Sequence, residues 1–506
     1  MSPWIARLLA LAFALNCAPA SAQASEIPFT LIARVMEAGP RVSAISIDFG
    51  RDLPINWSLE RRFEVQAELQ PVKSRAGDLI ANSASPRAPR TVLRGYTSAK
   101  PEPGSPAQGR YVILELDPND ANGAFWYLGF SPVPGKRQTL PYGDALSYQV
   151  RLLHGMNAFV PNAAPAKPGG AVDTIAADTS FKLAGSRFLT VDRFTQGLFE
   201  MPGNQNLRFV GYNLFKPADV AAGAKVPLVV FLHGYGQSHD VGSFPNAPSA
   251  DVMSPLIANQ GGVGWVELGR EKAFVLVPQV PDADRQDAAR EGGWRQADAQ
   301  KLILGLVDKT IAENPSIDID RLYLTGLSLG AMGSWKLLTN PDPAIANKFA
   351  AAVLIAGSPV NVFALSDDPS ESAAQRPARI RKDIKAMDFA RARVPLWLQN
   401  TDNDPAVDKL GSRTAFAKLT GRAQIEGEET LVAKPGALVS DGLVREYRAS
   451  NRNGGAEVRY TEHQFGNGDR FRDLGMVTRN GHFNWEITYK DRAVIDWMFA
   501  QRRKNR

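Results

Sequence analysis

YLTGLSLGAMGSW, residues 323–335, is the stretch on which the reading of this chain turns. Within it, Gly326-Leu327-Ser328-Leu329-Gly330 matches G-x-S-x-G, a pattern that a chain with 43 glycines also meets by chance. The flanks sharpen it. RLYLT (321–325) reads as a buried strand running into the motif, and GAMGSWKLL (330–338) leaves it with helical character. A serine on a tight turn from strand to helix is presented to solvent as a nucleophile. The glycines fit that turn, which needs strained dihedrals and a close approach of helix to strand that a Cβ obstructs. Leu329, at the helix start, then offers its backbone N–H to a developing oxyanion.

Outward from this turn the pattern is one of alternation. After about residue 186, apolar runs recur: RFVGYNLF (208–215), VPLVVFLHG (226–234), AFVLVPQV (273–280), AAAVLIAG (350–357), PLWLQNTD (395–402) and VRYTEHQF (458–465). Candidate helices such as DAQKLILGLVDKTIAEN (298–314) and AVIDWMFAQRR (493–503) lie between and after them. Near-continuous apolar strands alternating with helices predict a mostly parallel sheet covered on both faces, an α/β fold.

A serine hydroxyl is a weak nucleophile at neutral pH and needs a base. The order expected for this turn is Ser, then Asp or Glu, then His. Only His463 and His482 follow Ser328. His463 sits in a predicted strand, which ties its ring to one sheet face, whereas His482 sits in a loop, RNGHFNWE, ahead of the terminal helix. His482 is the preferred base, and His463 the alternative. PLWLQNTDNDPAVD supplies Asp402, Asp404 and Asp408 after a strand; Asp404, before Pro405, is preferred, the others serving as turn or helix caps. Upstream, VVFLHGYGQS (229–238) ends a strand in His-Gly and supplies a second oxyanion wall through the backbone N–H near Tyr235. His233 reads as a structural turn residue, His239 as a surface loop residue, and His154 receives no role.

The first third reads differently. FEVQAEL (63–69) alternates apolar and polar residues, and AISIDFG (44–50), RYVILEL (110–116), AFWYLGF (124–130) and LSYQVRLL (146–153) follow suit. Short alternating strands between Pro/Gly/Asn/Asp turns predict a β-sandwich of immunoglobulin size. Trp126 and Tyr127 are neighbours on one strand, so they point to opposite faces and at least one belongs to the core. PNAAPAKPGGA (161–171) reads as a linker. Arg7, the run LLALAFALNCAPA and Ala20-Ser21-Ala22 form a secretory signal cut near Ala22, with lipidation at Cys17 as the poorer match. The expected layout is a signal peptide (1–22), a β-sandwich (23–160), a linker (161–185) and an α/β catalytic unit (186–506). Cys17 is the only cysteine, so the mature chain holds no disulfide and no thiol nucleophile. A net charge of +6 without a basic–aromatic stripe argues against nucleic acid, and the basic QRRKNR end reads as a solvated tail. No metal cluster or nucleotide motif suggests a cofactor, and none is expected. No stable membrane insertion is expected either.

FLHGYGQS, IDIDRLYLTGLSLGAMGSW, KFAAAVLIAGSP, VPLWLQNTDNDPAV and GHFNWEITYKDRAVIDWMFAQRR together resemble the secreted esterase branch of the α/β-hydrolases. That branch includes polyhydroxybutyrate-depolymerase-like and feruloyl-esterase-like enzymes, also labelled predicted peptidases, and members with an N-terminal immunoglobulin-like domain are most similar. The resemblance implies an α/β-hydrolase fold and a periplasmic or secreted serine esterase with Ser328, Asp404 and His482 as triad. Its substrate would be a small-molecule or polymeric ester, and the β-domain could mediate homo-oligomers. The alternatives are a serine peptidase of the same fold and an inactive binding protein. Two departures from the family pattern stand out: Leu329 with Gly330-Ala331 at the elbow, and Asn400-Thr401 before the acid, where His-Gly is common. Residues 421–456 read as an insertion, a lid or a surface excursion.

Overall fold

In a computed structural model, the described residues are 26–503 except 37–38, 57, 74–78, 82–85, 131–136, 142–144, 158–173, 178, 205–206, 241–254, 258–260, 270–271, 283–291, 363–370, 422–438, 441–443 and 466–480. The signal segment and PNAAPAKPGGA lie outside them. Alternation builds the N-terminal sandwich. One sheet runs in the order β8-β1-β2-β6-β5, where β1 is Ile27–Met36, β2 Gly39–Leu53, β5 Val92–Ser98, β6 Gly109–Leu116 and β8 Phe181–Phe188. The other runs β7-β3-β4, from Leu146–Leu152, Phe63–Leu69 and Arg87–Arg90. Antiparallel β3 and β7 are in register from Phe63↔Leu152 to Leu69↔Leu146, so Phe63, Val65, Ala67 and Leu69 share a face with Leu146, Tyr148, Val150 and Leu152. Those residues pack onto Leu31, Ile45, Ile47, Val112 and Leu114 of the first sheet to make the sandwich core.

β8 corrects the expected linker. The Pro/Gly-rich run before them places residues 181–185 in it. Instead Phe181–Phe188 pairs in parallel with β1, from Ile27↔Phe181 to Ala33↔Phe188. Six consecutive side chains of this edge strand, Lys182–Arg187, are exposed, so it carries no alternation to read. The hairpin Trp126–Phe130/Arg137–Pro141 projects from the same domain; the Trp126 and Tyr127 side chains lie outside the described residues.

The second unit is a ten-stranded sheet. Its strands are β9 (Phe194–Glu200), β10 (Phe209–Phe215), β11 (Val226–Leu232), β12 (Phe274–Gln279), β13 (Ile317–Leu327), β14 (Ala351–Ile355), β15 (Leu396–Thr401), β16 (Val439–Ser440), β17 (Val444–Ser450) and β18 (Glu457–His463). The order is β9-β10-β12-β11-β13-β14-β15-β18-β17-β16. From β12 to β18 neighbours are parallel, and both margins are antiparallel. Burial on both faces explains the continuous apolar runs. In β11, Leu228, Val230 and Leu232 face one core with helices α2 (Ala297–Glu313), α3 (Leu329–Leu338), α4 (Arg376–Ala386) and α5 (Leu410–Thr420). Val229 and Phe231 face the other, with α1 (Gly261–Glu267) and α6 (Arg492–Phe499). This is the α/β-hydrolase fold, preceded by an immunoglobulin-like β-sandwich. Ala33 and Val35 of β1 and Phe188 of β8 reach into that second core, so the two units share packing.

Two further expectations are corrected. Val444–Ser450 falls within the expected insertion, yet as β17 it pairs with the last strand and extends the sheet; residues 422–438 lie outside the described residues. The basic tail is not wholly solvated. Arg502 reaches Asp318 at 2.9 Å and Arg503 reaches Asp320 at 3.1 Å. Among the described residues, no helix is long and apolar enough to cross a membrane.

Candidate active site

Ser328 stands between β13 and α3 with φ +51° and ψ −117°, a conformation that side chains other than glycine rarely adopt. Its N–H donates to the Ile355 carbonyl at 2.8 Å, which pins the turn to the end of β14. The flanking glycines are there because there is no room for anything else. A Cβ on Gly330 would sit 2.0 Å from the Leu232 carbonyl oxygen, and one on Gly326 would sit 2.6 Å from the Gly330 carbonyl carbon. α3 is apolar on nearly every side, as a helix buried between sheet and neighbours must be.

His482 lies in the short turn Gly481–Phe483 and comes to the serine from 154 residues away. Its Nε2 is 3.1 Å from Ser328 Oγ, and its Nδ1 is 2.8 Å from Asp404 Oδ2. A carboxylate only accepts, so Nδ1 carries the proton and Nε2 is left to accept from the serine hydroxyl. The Asp404 side chain is fully buried, and its Oδ1 accepts from the Ala406 and Val407 amides, both at 2.8 Å. That fixes the carboxylate independently of the histidine. Trp485 stands edge-on to the imidazole, with centroids 5.1 Å apart and an interplanar angle of 84°.

The alternatives are placed elsewhere. His463 is buried on β18, with Nε2 3.0 Å from Gln399 Oε1. Asp402 accepts from the Phe465 amide at 2.7 Å, and Asp408 from the Leu410 amide at 2.8 Å, just ahead of α5.

The His-Gly turn closes the opposite side. His233 is fully buried; its Nδ1–H donates to the Gly234 carbonyl at 2.7 Å and its Nε2 accepts from the Val280 amide at 3.1 Å. Both ring nitrogens are therefore occupied in holding the turn. Gly234 N–H donates to Gln237 Oε1 at 2.8 Å, and Gln279 Nε2 donates to the Gln237 carbonyl at 2.7 Å. A Cβ on Gly234 would lie 3.6 Å from Ser328 Cβ, so this backbone abuts the serine. Tyr235 starts the turn Tyr235–Gln237 and is 43% exposed. The first amides of a helix lack partners within it, and Leu329 opens α3 from the other side. The Arg137–Pro141 strand of the N-terminal hairpin runs against the Tyr235–Gln237 turn. Exposed His154 lies in the sandwich, and the His239 side chain is outside the described residues.

Sequence reasoning did not find the tie between Thr401 and the histidine turn. Thr401 Oγ1 donates to the Gly481 carbonyl at 2.8 Å, across 80 residues. Its only signal was the unusual Asn400-Thr401 pair. Nor did it find the ion pair behind the acid strand. Arg413 of α5 meets Glu462 through two bonds of 2.6 and 2.7 Å. Burial alone would raise the Glu462 carboxyl, but the Arg413 guanidinium and the hydrogen bonds hold it below its usual range.

Residues 28–157 match the family described as the esterase Ig-like N-terminal domain. The fold is also similar to the crystal structure of a thermostable esterase, with 22% identity, TM-score 0.63, and coverage of 94% of this chain and 99% of that one. An acylaminoacyl peptidase of Pyrococcus horikoshii matches at 14% identity and TM-score 0.34, over 62% of this chain and 43% of its own. An ester-hydrolase from the metagenome of Lake Arreo matches at 13% identity and TM-score 0.34, over 61% and 82%. Among curated proteins, no sequence matches this chain.

Proposed function

We propose that this protein is an exported serine hydrolase that cleaves carboxylic esters through an acyl-enzyme. One observation carries the reading: a serine on a strained strand–helix turn is joined by hydrogen bonds through His482 to a buried, doubly capped carboxylate. In the first half-reaction Ser328 Oγ attacks the ester carbonyl while His482 Nε2 takes its proton. Asp404 keeps the imidazole in the tautomer that accepts and steadies the imidazolium that results. The backbone N–H groups of Leu329 and the Tyr235 turn receive the oxyanion. His482 then protonates the departing alkoxide, and the same groups activate water to release the acid. The esterase-type N-terminal domain and the esterase of like fold support an ester over an amide. The signal-like start supports action in the periplasm or medium.

The test is a series of p-nitrophenyl acyl esters of rising chain length beside aminoacyl-anilides, on wild type and Ser328→Ala. Ester turnover should exceed anilide turnover, and the substitution should lower kcat by about 10⁴-fold or more. Anilide cleavage without ester cleavage overturns the substrate class. Equal turnover by mutant and wild type overturns the mechanism.

A further inference from the structure

The histidine turn is attached to β15 on both sides of its catalytic ring. Before the ring, Thr401 Oγ1 donates to the Gly481 carbonyl at 2.8 Å, one residue from His482. Beyond it, Thr488 Oγ1 donates to Gln399 Oε1 at 2.9 Å. Gln399 and Thr401 are two apart on one strand, so their side chains leave the same face. Both attachments are deeply buried: Thr401 and Thr488 are wholly inaccessible and Gln399 is 1% exposed. The contact at Gly481 is also close, since a Cβ there would lie 2.3 Å from Asn403 Oδ1 and 2.8 Å from Thr401 Oγ1.

β15 is also the strand that delivers the acid, because Asp404 follows Thr401 by three residues. One strand end therefore fixes the acid through the turn that continues it, and the base through a hydroxyl. We propose that Thr401 is a positioning residue for the base: its hydroxyl sets the distance between the Asp404 and His482 turns, and so the Nδ1–carboxylate contact of 2.8 Å. The residue touches no substrate. This inference rests on the reading of Ser328, His482 and Asp404 as a catalytic relay. It also gives a role to a sequence departure that the fold alone leaves idle.

Thr401→Val removes the donor at nearly constant volume, and Thr401→Ser keeps it. Thr401→Val should lower kcat about 10- to 100-fold with KM within about threefold, as expected when a catalytic group is displaced by a fraction of an ångström. Labelling of Ser328 by a fluorophosphonate should slow in parallel, and Thr401→Ser should restore both to within about threefold. The proton shared by His482 and Asp404, read far downfield by proton NMR, should be sharp in wild type and Thr401→Ser and broadened in Thr401→Val. A Thr401→Val enzyme with kcat within about twofold of wild type overturns the proposal, as does equal damage by Val and Ser, or a loss confined to KM. Should Thr401→Val fail to fold, Gly481→Ala forces the same two turns apart, and unchanged kcat there overturns the proposal as well. Ser328→Ala separates the two levels: if it keeps wild-type turnover, the relay reading itself has failed, whatever Thr401 does.

Discussion

Ser328 and His482 stand 3.1 Å apart, yet they are held in unlike ways. The serine is held by backbone: a strained φ, an amide bonded to the neighbouring strand, and two glycines with no space above them. The histidine is held by side chains: a carboxylate, a threonine hydroxyl and a tryptophan edge. Backbone sterics give a rigid elbow that tolerates almost no substitution. Side-chain bonds give a base whose position can be altered one hydroxyl at a time. The nucleophile side should therefore lose stability and activity together, while the base side should lose activity with the fold intact.

Three substitutions try that contrast, beginning with the strongest. Asp404→Asn keeps volume and caps but favours the wrong imidazole tautomer; kcat should fall about 10⁴-fold with an unchanged far-UV spectrum and a melting temperature within a few degrees. Gross unfolding would break the contrast. Gly330→Ala places a Cβ against the Leu232 carbonyl and should cost at least about 3 kcal/mol in urea unfolding, with activity lost in proportion. A stable, inactive Gly330→Ala enzyme would contradict it. Glu462→Gln should cost about 2 kcal/mol at neutral pH, because Arg413 keeps an acceptor but loses its counter-charge in a buried site. Since folding lowers the Glu462 carboxyl below its reference value of 4.5, this stabilisation is fully present above that pH. It fades as pH falls through the lower folded value. Melting curves of the two proteins should thus converge in acid, and a gap that persists there would remove the charge from the account.

Most of this architecture was legible because its signals are local. FEVQAEL is the strand Phe63–Leu69, with burial alternating residue by residue, and AVIDWMFAQRR covers all but the first residue of the terminal helix Arg492–Phe499. The preferred Ser328, Asp404 and His482 are the ones that the fold brings together, and the rival acids bond to backbone amides elsewhere, Asp402 to Phe465 and Asp408 to Leu410. What escaped lacks a local signature. Phe181–Phe188 is an exposed edge strand next to a Pro/Gly-rich run, and its partner β1 lies about 150 residues earlier. Val444–Ser450, with one buried residue at the sheet margin, reads as an insertion for the same reason. Thr401 was visible as an oddity, but its partner is a backbone carbonyl, which carries no side-chain identity to read.

The pairing of β8 with β1 also governs how this chain can be cut. A fragment begun at residue 186 severs β8 in mid-strand, and an N-terminal fragment ended near residue 160 leaves β1 with an open edge from Ile27 to Ala33. Such an edge is a template for joining another molecule's strand. The segment that a designer would treat as a hinge is thus sewn into the fabric of the first domain. Grafting that domain onto another enzyme means carrying Phe181–Phe188 with it, and the seam between the two units falls at the turn after Phe188, ahead of Phe194.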